Sequence, residues 1–132
     1  TQRTINALSS TLVSMAILVI EGTEIRLKMS PLERLGALVS PPTARLDQVQ
    51  SIQFIVELWS KDVLRGVRAP GTGMPYVVLI GVMRGRGYKD FCVIKRRKPG
   101  VIITFSSGKY ERWIYALEGS RHAEEQILAA LA

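Results

Sequence analysis

The stretch from Tyr76 to Leu117 constrains the fold more than any other part of the sequence. It contains four short segments rich in β-branched and aromatic residues, and turns containing glycine or proline separate most of them. The segments are Tyr76–Met83, Asp90–Lys95, Val101–Phe105 and Tyr110–Leu117. Strands of this length, divided by glycine-rich turns, are typical of an antiparallel meander. The sequence therefore predicts a mainly β structure in this half of the chain.

The first half of the chain adds further strands. The apolar run Leu12–Ile20 is followed by a compact polar turn and then by Ile25–Met29, which alternates apolar and charged residues. Alternation with a period of two indicates a strand with one buried face, so the two segments predict a hairpin. Ser30 and Pro31 resemble the start of a short helix, and Val49–Trp59 is another β-rich segment.

The C-terminal segment has a different period. In Arg121–Ala132 the apolar residues fall on one helical face, namely Ala123, Ile127, Ala130 and Leu131. The chain has 132 residues, the size of one domain. We expect residues 1–12 to form an N-terminal tail or lead-in and residues 13–132 to form a single domain. The predicted architecture is a bent antiparallel sandwich or barrel of about seven strands, capped by the C-terminal helix.

The positive charge is concentrated in one hairpin. The chain carries a formal net charge of +7, and the stretch 84–98 alone holds seven basic residues against a single carboxylate, Asp90. They occupy two turns: Arg84, Arg86 and Lys89 lie at the first, and Lys95, Arg96, Arg97 and Lys98 at the second. A strand of about six residues would hold these turns roughly 20 Å apart, at opposite ends. Two interpretations stay open: solvated turns that keep the sheet soluble, or patches that bind anions.

Residues 68–75 form a second candidate binding segment. Gly71 and Gly73 allow unusual backbone conformations, and two prolines stiffen the ends, so the composition predicts a loop. Arg68 and Thr72 are the side chains within it that we would expect to contact a ligand. A plain crossover between two sheets explains the same composition.

The sequence contains no recognisable catalytic or metal-binding pattern. His122 is the single histidine and Cys92 the single cysteine, and their spacing gives no reason to pair them as base and nucleophile. The glycines at positions 81, 85 and 87 precede a strand and not a helix, which argues against a nucleotide-binding loop. We therefore expect no enzyme activity, no catalytic or metal-ligating residue and no cofactor.

One resemblance to a known group supports this architecture. The order of the elements, with the segment Pro42–Ile52, resembles the pleckstrin-homology-like fold. The segment Leu64–Thr72, followed by Pro75 and then Lys89-Asp90-Phe91, resembles an uncharacterised family of small, mainly actinobacterial proteins. The resemblance implies a fold and a binding role. It does not imply phosphoinositide binding at the first hairpin, because Glu21 and Glu24 occupy that turn.

The sequence thus predicts a cytoplasmic, non-enzymatic binding or scaffold module that associates with a protein partner or with itself. The alternative is a peripheral module that uses the basic hairpin 84–98 to bind an anionic partner, either an acidic membrane surface or nucleic acid.

Overall fold

The computed structural model describes residues 16–30, 40–60, 63–74, 78–117 and 120–131; at residues 67–70, 72 and 74 it describes the backbone alone. The tail predicted at residues 1–12 and the short helix predicted after Ser30 lie outside these ranges. The described elements are β1 (Ile17–Glu21), β2 (Glu24–Lys28), β3 (Thr43–Arg45), a 3-10 turn (Leu46–Gln48), β4 (Val49–Ile55), β5 (Val67–Met74), β6 (Val78–Gly85), β7 (Tyr88–Lys95), β8 (Gly100–Phe105), β9 (Arg112–Ala116) and the helix α1 (His122–Leu131).

The strands form two sheets, and the C-terminal helix follows them, as predicted. One sheet has the order β1-β2-β3 and the other the order β4-β8-β9-β7-β6-β5. The mainly β, sandwich-like class is therefore confirmed, although the described strands do not close into a barrel. The described part contains nine strands where about seven were expected. Residues 44–46 and 49–59 were expected to form one strand region, but they form β3 and β4, which lie in different sheets with the 3-10 turn between them. β5 is a strand where a loop was expected.

The predicted meander is wrong in one respect, the position of β9. β9 lies between β7 and β8, where it pairs parallel with β7 and antiparallel with β8. β7 and β8 are consecutive in sequence but are not neighbours in the sheet. The parallel pairing brings the β8–β9 loop back to the end of the sheet where β7 begins.

The central strands of the larger sheet are buried on both faces. On the inner face Phe91 and Trp113 pack against β1 and β2, together with Ile127 of α1. On the outer face Cys92 and Ile114 pack under the segment that connects β4 to β5, which contributes Leu58 and Val63. Strands buried on both faces read as continuous apolar runs, as β7 and β9 do.

The helix buries less of its apolar face than the sequence predicted. Ile127 is buried and Ala123 is partly buried against the inner core. Ala130 and Leu131, which were assigned to the same face, are exposed. The helix therefore covers the core with its first two turns.

Candidate functional site

The structure places the two basic turns at opposite ends of β7, as the sequence predicted. The β6–β7 turn closes at the pair Gly85 and Tyr88, and the other end of the same ladder pairs Val78 with Lys95. Arg84, Arg86 and Lys89 therefore lie at one end of the sheet, and Lys95, Arg96, Arg97 and Lys98 lie at the other. The seven residues do not form one surface.

At the first end, a cleft opens between the β6–β7 turn and the β8–β9 loop. Its volume is about 540 Å³. The turn contributes Gly85, Gly87, Tyr88 and Lys89, and the loop contributes residues 106–111. We call this feature the basic cleft. It exists because β9 runs parallel to β7, so that its incoming loop meets the turn that starts β7.

Tyr110 connects the cleft to the hydrophobic core. Its side chain is buried and meets Phe91 edge-on, with ring centroids 5.4 Å apart. The ammonium groups of Lys89 and Lys109 lie 5.6 and 5.4 Å from the Tyr110 ring centroid. This distance suits cation–π attraction, which holds both lysines at the cleft. Burial raises the pKa of the Tyr110 hydroxyl and the charge of Arg84 opposes the rise, so the phenol stays neutral.

Two arginines add to the positive charge beside these lysines. Arg84 is opposite Lys89 in the β6–β7 ladder, so the two side chains share the inner face of the sheet at its end. Arg86 is exposed at the turn itself. Four cations thus gather around the cleft. The carboxylate at its edge, Glu111, lies 3.1 Å from Arg65 Nη2.

Hydrogen bonds fix the loop side of the cleft. The Glu111 N–H donates to the Lys89 carbonyl at 2.7 Å, and the Phe105 N–H donates to the Glu111 carbonyl at 2.9 Å. The Ser106 N–H donates to the Gln48 carbonyl at 2.8 Å, and Gln48 Nε2 donates to Ser107 Oγ at 3.3 Å. The exposed loop is therefore anchored on β7 and on the 3-10 turn, which preorganises the cleft.

A buried ionic cluster lies behind the cleft on the outer face. The Asp90 side chain is fully buried. Its Oδ2 accepts hydrogen bonds from Arg112 Nη2 at 2.7 Å and from Arg65 Nε at 2.9 Å. Arg112 Nη2 also donates to the Val63 carbonyl at 2.7 Å, and the Arg65 guanidinium lies 4.0 Å from the Tyr88 ring centroid. The cluster holds the β4–β5 connection onto the sheet, which is a structural role.

The second basic turn has a different environment. Arg96 and Arg97 are exposed, whereas Lys95 and Lys98 are partly buried. Arg96 has a φ of 59°, in the left-handed region that few residues other than glycine adopt. Its carbonyl accepts a hydrogen bond from Trp59 Nε1 at 2.8 Å. This contact ties the turn to the β4–β5 connection.

The predicted loop at residues 68–75 is wrong, because Val67–Met74 is strand β5 at the edge of the larger sheet. Arg68 is opposite Met83 and Thr72 is opposite Ile80, and their side chains lie outside what the structure describes. Glycine and proline are compatible with a strand here because β5 is an edge strand and its register shifts between Arg68 and Gly71. A Cβ at Gly71 would lie 2.3 Å from the Ile80 carbonyl oxygen. The glycine thus permits a close backbone approach.

The first hairpin provides an internal partner for its own cation. Arg26 lies on β2 opposite Val19, and its Nη2 is 2.5 Å from Glu21 Oε1. The glutamate that argued against phosphoinositide binding at this hairpin therefore pairs with the nearest arginine.

Cys92 and His122 lie on opposite sides of the larger sheet. Cys92 is fully buried in the outer-face cluster, and burial raises the pKa of its thiol, as does the nearby Asp90. His122 is exposed at the start of α1, which packs on the inner face. Within the described ranges no three His, Cys, Asp or Glu residues are grouped to hold a metal ion.

Sequence reasoning missed the loop half of the basic cleft. Ser106, Ser107 and Lys109 were recognised only as a turn, and Tyr110 only as the start of a strand. A local signal could not place them beside Arg84 and Lys89, because the parallel β7–β9 pairing joins segments 22 residues apart, such as Asp90 and Arg112.

In the part of the chain that is described, no helix combines the length and the apolar character needed to cross a membrane. Comparison of the chain with family models, with curated proteins and with solved structures returned no match.

Proposed function

We propose that this chain is a non-enzymatic binding module that holds an acidic segment of a partner protein in the basic cleft. The observation that carries the proposal is the convergence of Lys89 and Lys109 on the buried Tyr110 ring, with Arg84 and Arg86 beside them. Cationic side chains held around a concave, prebuilt surface attract anionic groups and concentrate their field there.

The chemistry of the cleft favours binding over catalysis. The charged residues that line it are Lys89, Lys109 and Glu111, and Glu111 is paired with Arg65. General acid–base catalysis needs a group that exchanges protons near neutral pH, and the neutral Tyr110 phenol does not meet that requirement. On the anchored loop the Ser107 hydroxyl accepts from Gln48 Nε2, and its own O–H can donate to a carboxylate or phosphate oxygen.

The placement of the charges favours an acidic polypeptide over a membrane. The two basic turns lie at opposite ends of an eight-residue strand, a separation of roughly 25 Å. A flat anionic surface that meets one turn end-on cannot meet the other. A concave cleft suits a narrow extended segment instead.

The aromatic rings near the cleft favour a polypeptide over nucleic acid. Binding of single strands depends on ring faces on which bases stack. Tyr110 is buried edge-on against Phe91, and Arg65 covers the Tyr88 ring at 4.0 Å. The rings at this end are therefore engaged within the protein.

Two broader proposals accompany this function. The two-layered β architecture with its C-terminal helix supports membership of the pleckstrin-homology-like group, although the inserted strand β9 differs from the expected meander. The single cysteine, a buried thiol, supports a reducing compartment such as the cytoplasm.

The proposal is tested by measuring the binding of a fluorescent hexaglutamate peptide by anisotropy. We expect binding that weakens steeply between about 0.05 and about 0.3 M salt, because the screening length shrinks across that range. Replacing both lysines of the cleft (Lys89→Gln with Lys109→Gln) should weaken binding roughly tenfold at the lower salt concentration, or ~1.4 kcal/mol.

The matched control removes two charges from the other end of the sheet. Arg96→Gln with Arg97→Gln changes the net charge by the same amount and should leave peptide affinity within about twofold. Equal losses in the two double variants would show that net charge alone governs binding and would refute the cleft. Tighter binding of phosphatidylserine vesicles or of a single-stranded oligonucleotide than of the peptide would instead favour the membrane or nucleic-acid alternative.

A further inference from the structure

A second cavity lies on the other side of the molecule, between β1, the end of β9 and the first turn of α1. Its volume is about 250 Å³. Ala16, Leu18 and Leu117 contribute apolar wall, and His122 lies at its edge. Tyr115 and Glu124 also line it, and their polar atoms distinguish it from an ordinary packing defect.

Tyr115 and Glu124 each bring a buried polar atom into this cavity. Their exposed fractions are 1% and 3%. The Tyr115 hydroxyl and Glu124 Oε2 are both buried. The two side chains are close enough to shift each other's pKa as hydrogen-bonding neighbours, yet within the described ranges neither atom makes a hydrogen bond of ordinary geometry. Leaving a buried polar atom unpaired is unfavourable, and leaving a buried charge unpaired is more so. Two such atoms on one cavity wall therefore indicate that a third group completes the site.

Arg121, which precedes His122, does not complete it, because its guanidinium lies 4.7 Å from the Phe54 ring centroid. Its charge lowers the pKa of Glu124 only as a minor influence, whereas burial raises that pKa and is the largest cause. Among the described residues, Glu124 Oε2 accepts no hydrogen bond of ordinary geometry.

We propose that this cavity binds a small primary alkylamine, with the ammonium group between Glu124 Oε2 and the Tyr115 hydroxyl and the alkyl chain against Ala16, Leu18 and Leu117. An ammonium group carries three donors and no acceptor, so one group satisfies both oxygens. It also neutralises the buried carboxylate. A carboxylic acid or phosphate ligand would face Glu124 with like charge, and an alcohol would leave the carboxylate charge unpaired.

The size of the cavity fits this class of ligand. Pockets for drug-sized molecules occupy about 300–1,000 Å³, so a cavity just below this range suits a short chain with a single polar head. The site is independent of the basic cleft: it lies against α1 on the inner side, and its polar groups are acidic and phenolic where the cleft is cationic.

Isothermal titration calorimetry of the intact chain with hexylamine and hexanol tests the proposal. The two probes have the same chain and differ in the head group. We expect hexylamine to bind at least about tenfold more tightly than hexanol. Equal affinities, or no hexylamine binding to the wild-type chain, would overturn the proposal, and neither outcome depends on a variant that must fold.

Variants then locate the binding. Glu124→Gln should weaken hexylamine binding at least about tenfold, and Tyr115→Phe should weaken it by a smaller factor, since each removes one of the two oxygens. Glu125→Gln, an exposed neighbour on the same helix, should bind hexylamine as the wild type does. Glu124→Gln that keeps wild-type affinity would place the amine elsewhere and refute the site. The double variant Lys89→Gln with Lys109→Gln should keep its hexylamine affinity whether or not it still binds hexaglutamate, so the two proposals fail separately.

Discussion

At the scale of single residues, Asp90 shows how one buried charge holds two segments together. Its carboxylate takes hydrogen bonds from Arg112, its parallel neighbour on β9, and from Arg65 on the β4–β5 connection. Both Arg65 Nη2 and Arg65 Nε reach the carboxylate, at 3.1 and 2.9 Å. The hydrogen bond to Asp90 is the largest cause of the raised pKa of Arg65, which keeps the guanidinium charged. The three side chains act as one unit.

Asp90→Asn should therefore destabilise the fold strongly. The variant leaves the partly buried Arg112 guanidinium without its counter-charge, and breaking a buried ion pair on one side costs about 3–5 kcal/mol. The unfolding free energy from urea denaturation measures the change. Glu111→Gln is the control, because that carboxylate is 44% exposed and pairs with the same Arg65. A surface pair contributes only about 0–1 kcal/mol. Equal small losses in the two variants would show that the Asp90 cluster contributes little to stability.

The role of Asp90 could not be predicted from the sequence. Asp90 stands among seven basic residues in the stretch 84–98, which suggests a solvated carboxylate that moderates a basic hairpin. Its side chain instead points to the outer face, because positions in β7 alternate and Phe91 takes the inner one. The partners Arg65 and Arg112 come from segments with no local sequence relation to it. Only the tertiary arrangement brings them together.

At the scale of elements, β5 shows how an edge strand departs from ordinary β composition. Six residues of β5 pair with β6, and the register shifts between Arg68 and Gly71. Gly71 has a φ of 145°, a conformation that residues with a side chain rarely adopt. A Cβ there would also meet the Ile80 carbonyl oxygen at 2.3 Å and the Gly81 Cα at 2.8 Å. A residue with a side chain at position 71 would therefore have both backbone strain and a steric clash with β6.

Gly71→Ala should destabilise the fold more than Gly87→Ala. Gly87 also has a positive φ, of 81°, but a Cβ there meets nothing within 4 Å. The Gly87 variant therefore has backbone strain alone, on the order of 1–2 kcal/mol. The Gly71 variant must in addition move the backbone of β6, and we expect a loss of roughly 2–4 kcal/mol. Thermal unfolding followed by circular dichroism compares the two. A smaller loss at Gly71 would mean that β5 does not pair with β6 in the register described.

The elements that the sequence predicted well are those set by local pattern. In β2 the alternation puts Ile25 and Leu27 in the core with zero exposure, and the β6–β7 hairpin forms around Gly85 and Gly87 as expected. The elements that it predicted poorly depend on non-local pairing. β9 is apolar on both faces, which indicates burial but not which strands flank it. The loop half of the basic cleft follows from that pairing, so half of the candidate site was visible in the sequence and half was not.

At the scale of the whole molecule, the two proposed sites divide the protein by charge. Lys89 and Lys109 line the basic cleft at one end of the larger sheet, and the second cavity holds a carboxyl group and a phenol beside α1. Both sites lie on the larger sheet. Its strand β9 contributes Trp113 and Tyr115 to the inner face. Tyr110 of the basic cleft lies just before β9, and Tyr115 of the second cavity lies within β9. The two proposed sites therefore lie at opposite ends of β9.

The buried carboxyl of Glu124 makes the stability of the ligand-free molecule depend on pH. Burial raises the pKa of Glu124 above its ordinary value of 4.5, with the neighbouring Glu125 acting in the same direction and Tyr115 and Arg121 acting against it. The folded state therefore binds the Glu124 proton more tightly than the unfolded chain does. The stability that the neutral carboxyl contributes is fully present below the unfolded pKa and is lost as the pH rises through the folded one.

Glu124→Gln should remove this loss of folding stability at higher pH, because the glutamine amide stays neutral at every pH. Below about pH 4 the variant and the wild type should keep a constant difference in unfolding free energy. As the pH rises, that difference should shift in favour of the variant by up to about 1.4 kcal/mol per pH unit, and it should level off once the folded carboxyl has ionised. Urea denaturation at a series of pH values measures the difference, and the exposed neighbour Glu125→Gln should stay within about 0.5 kcal/mol of the wild type throughout. A constant difference for Glu124→Gln across the whole range would mean that a group on the protein already pairs with the ionised carboxylate. In that case Glu124 would not require an amine ligand as its partner.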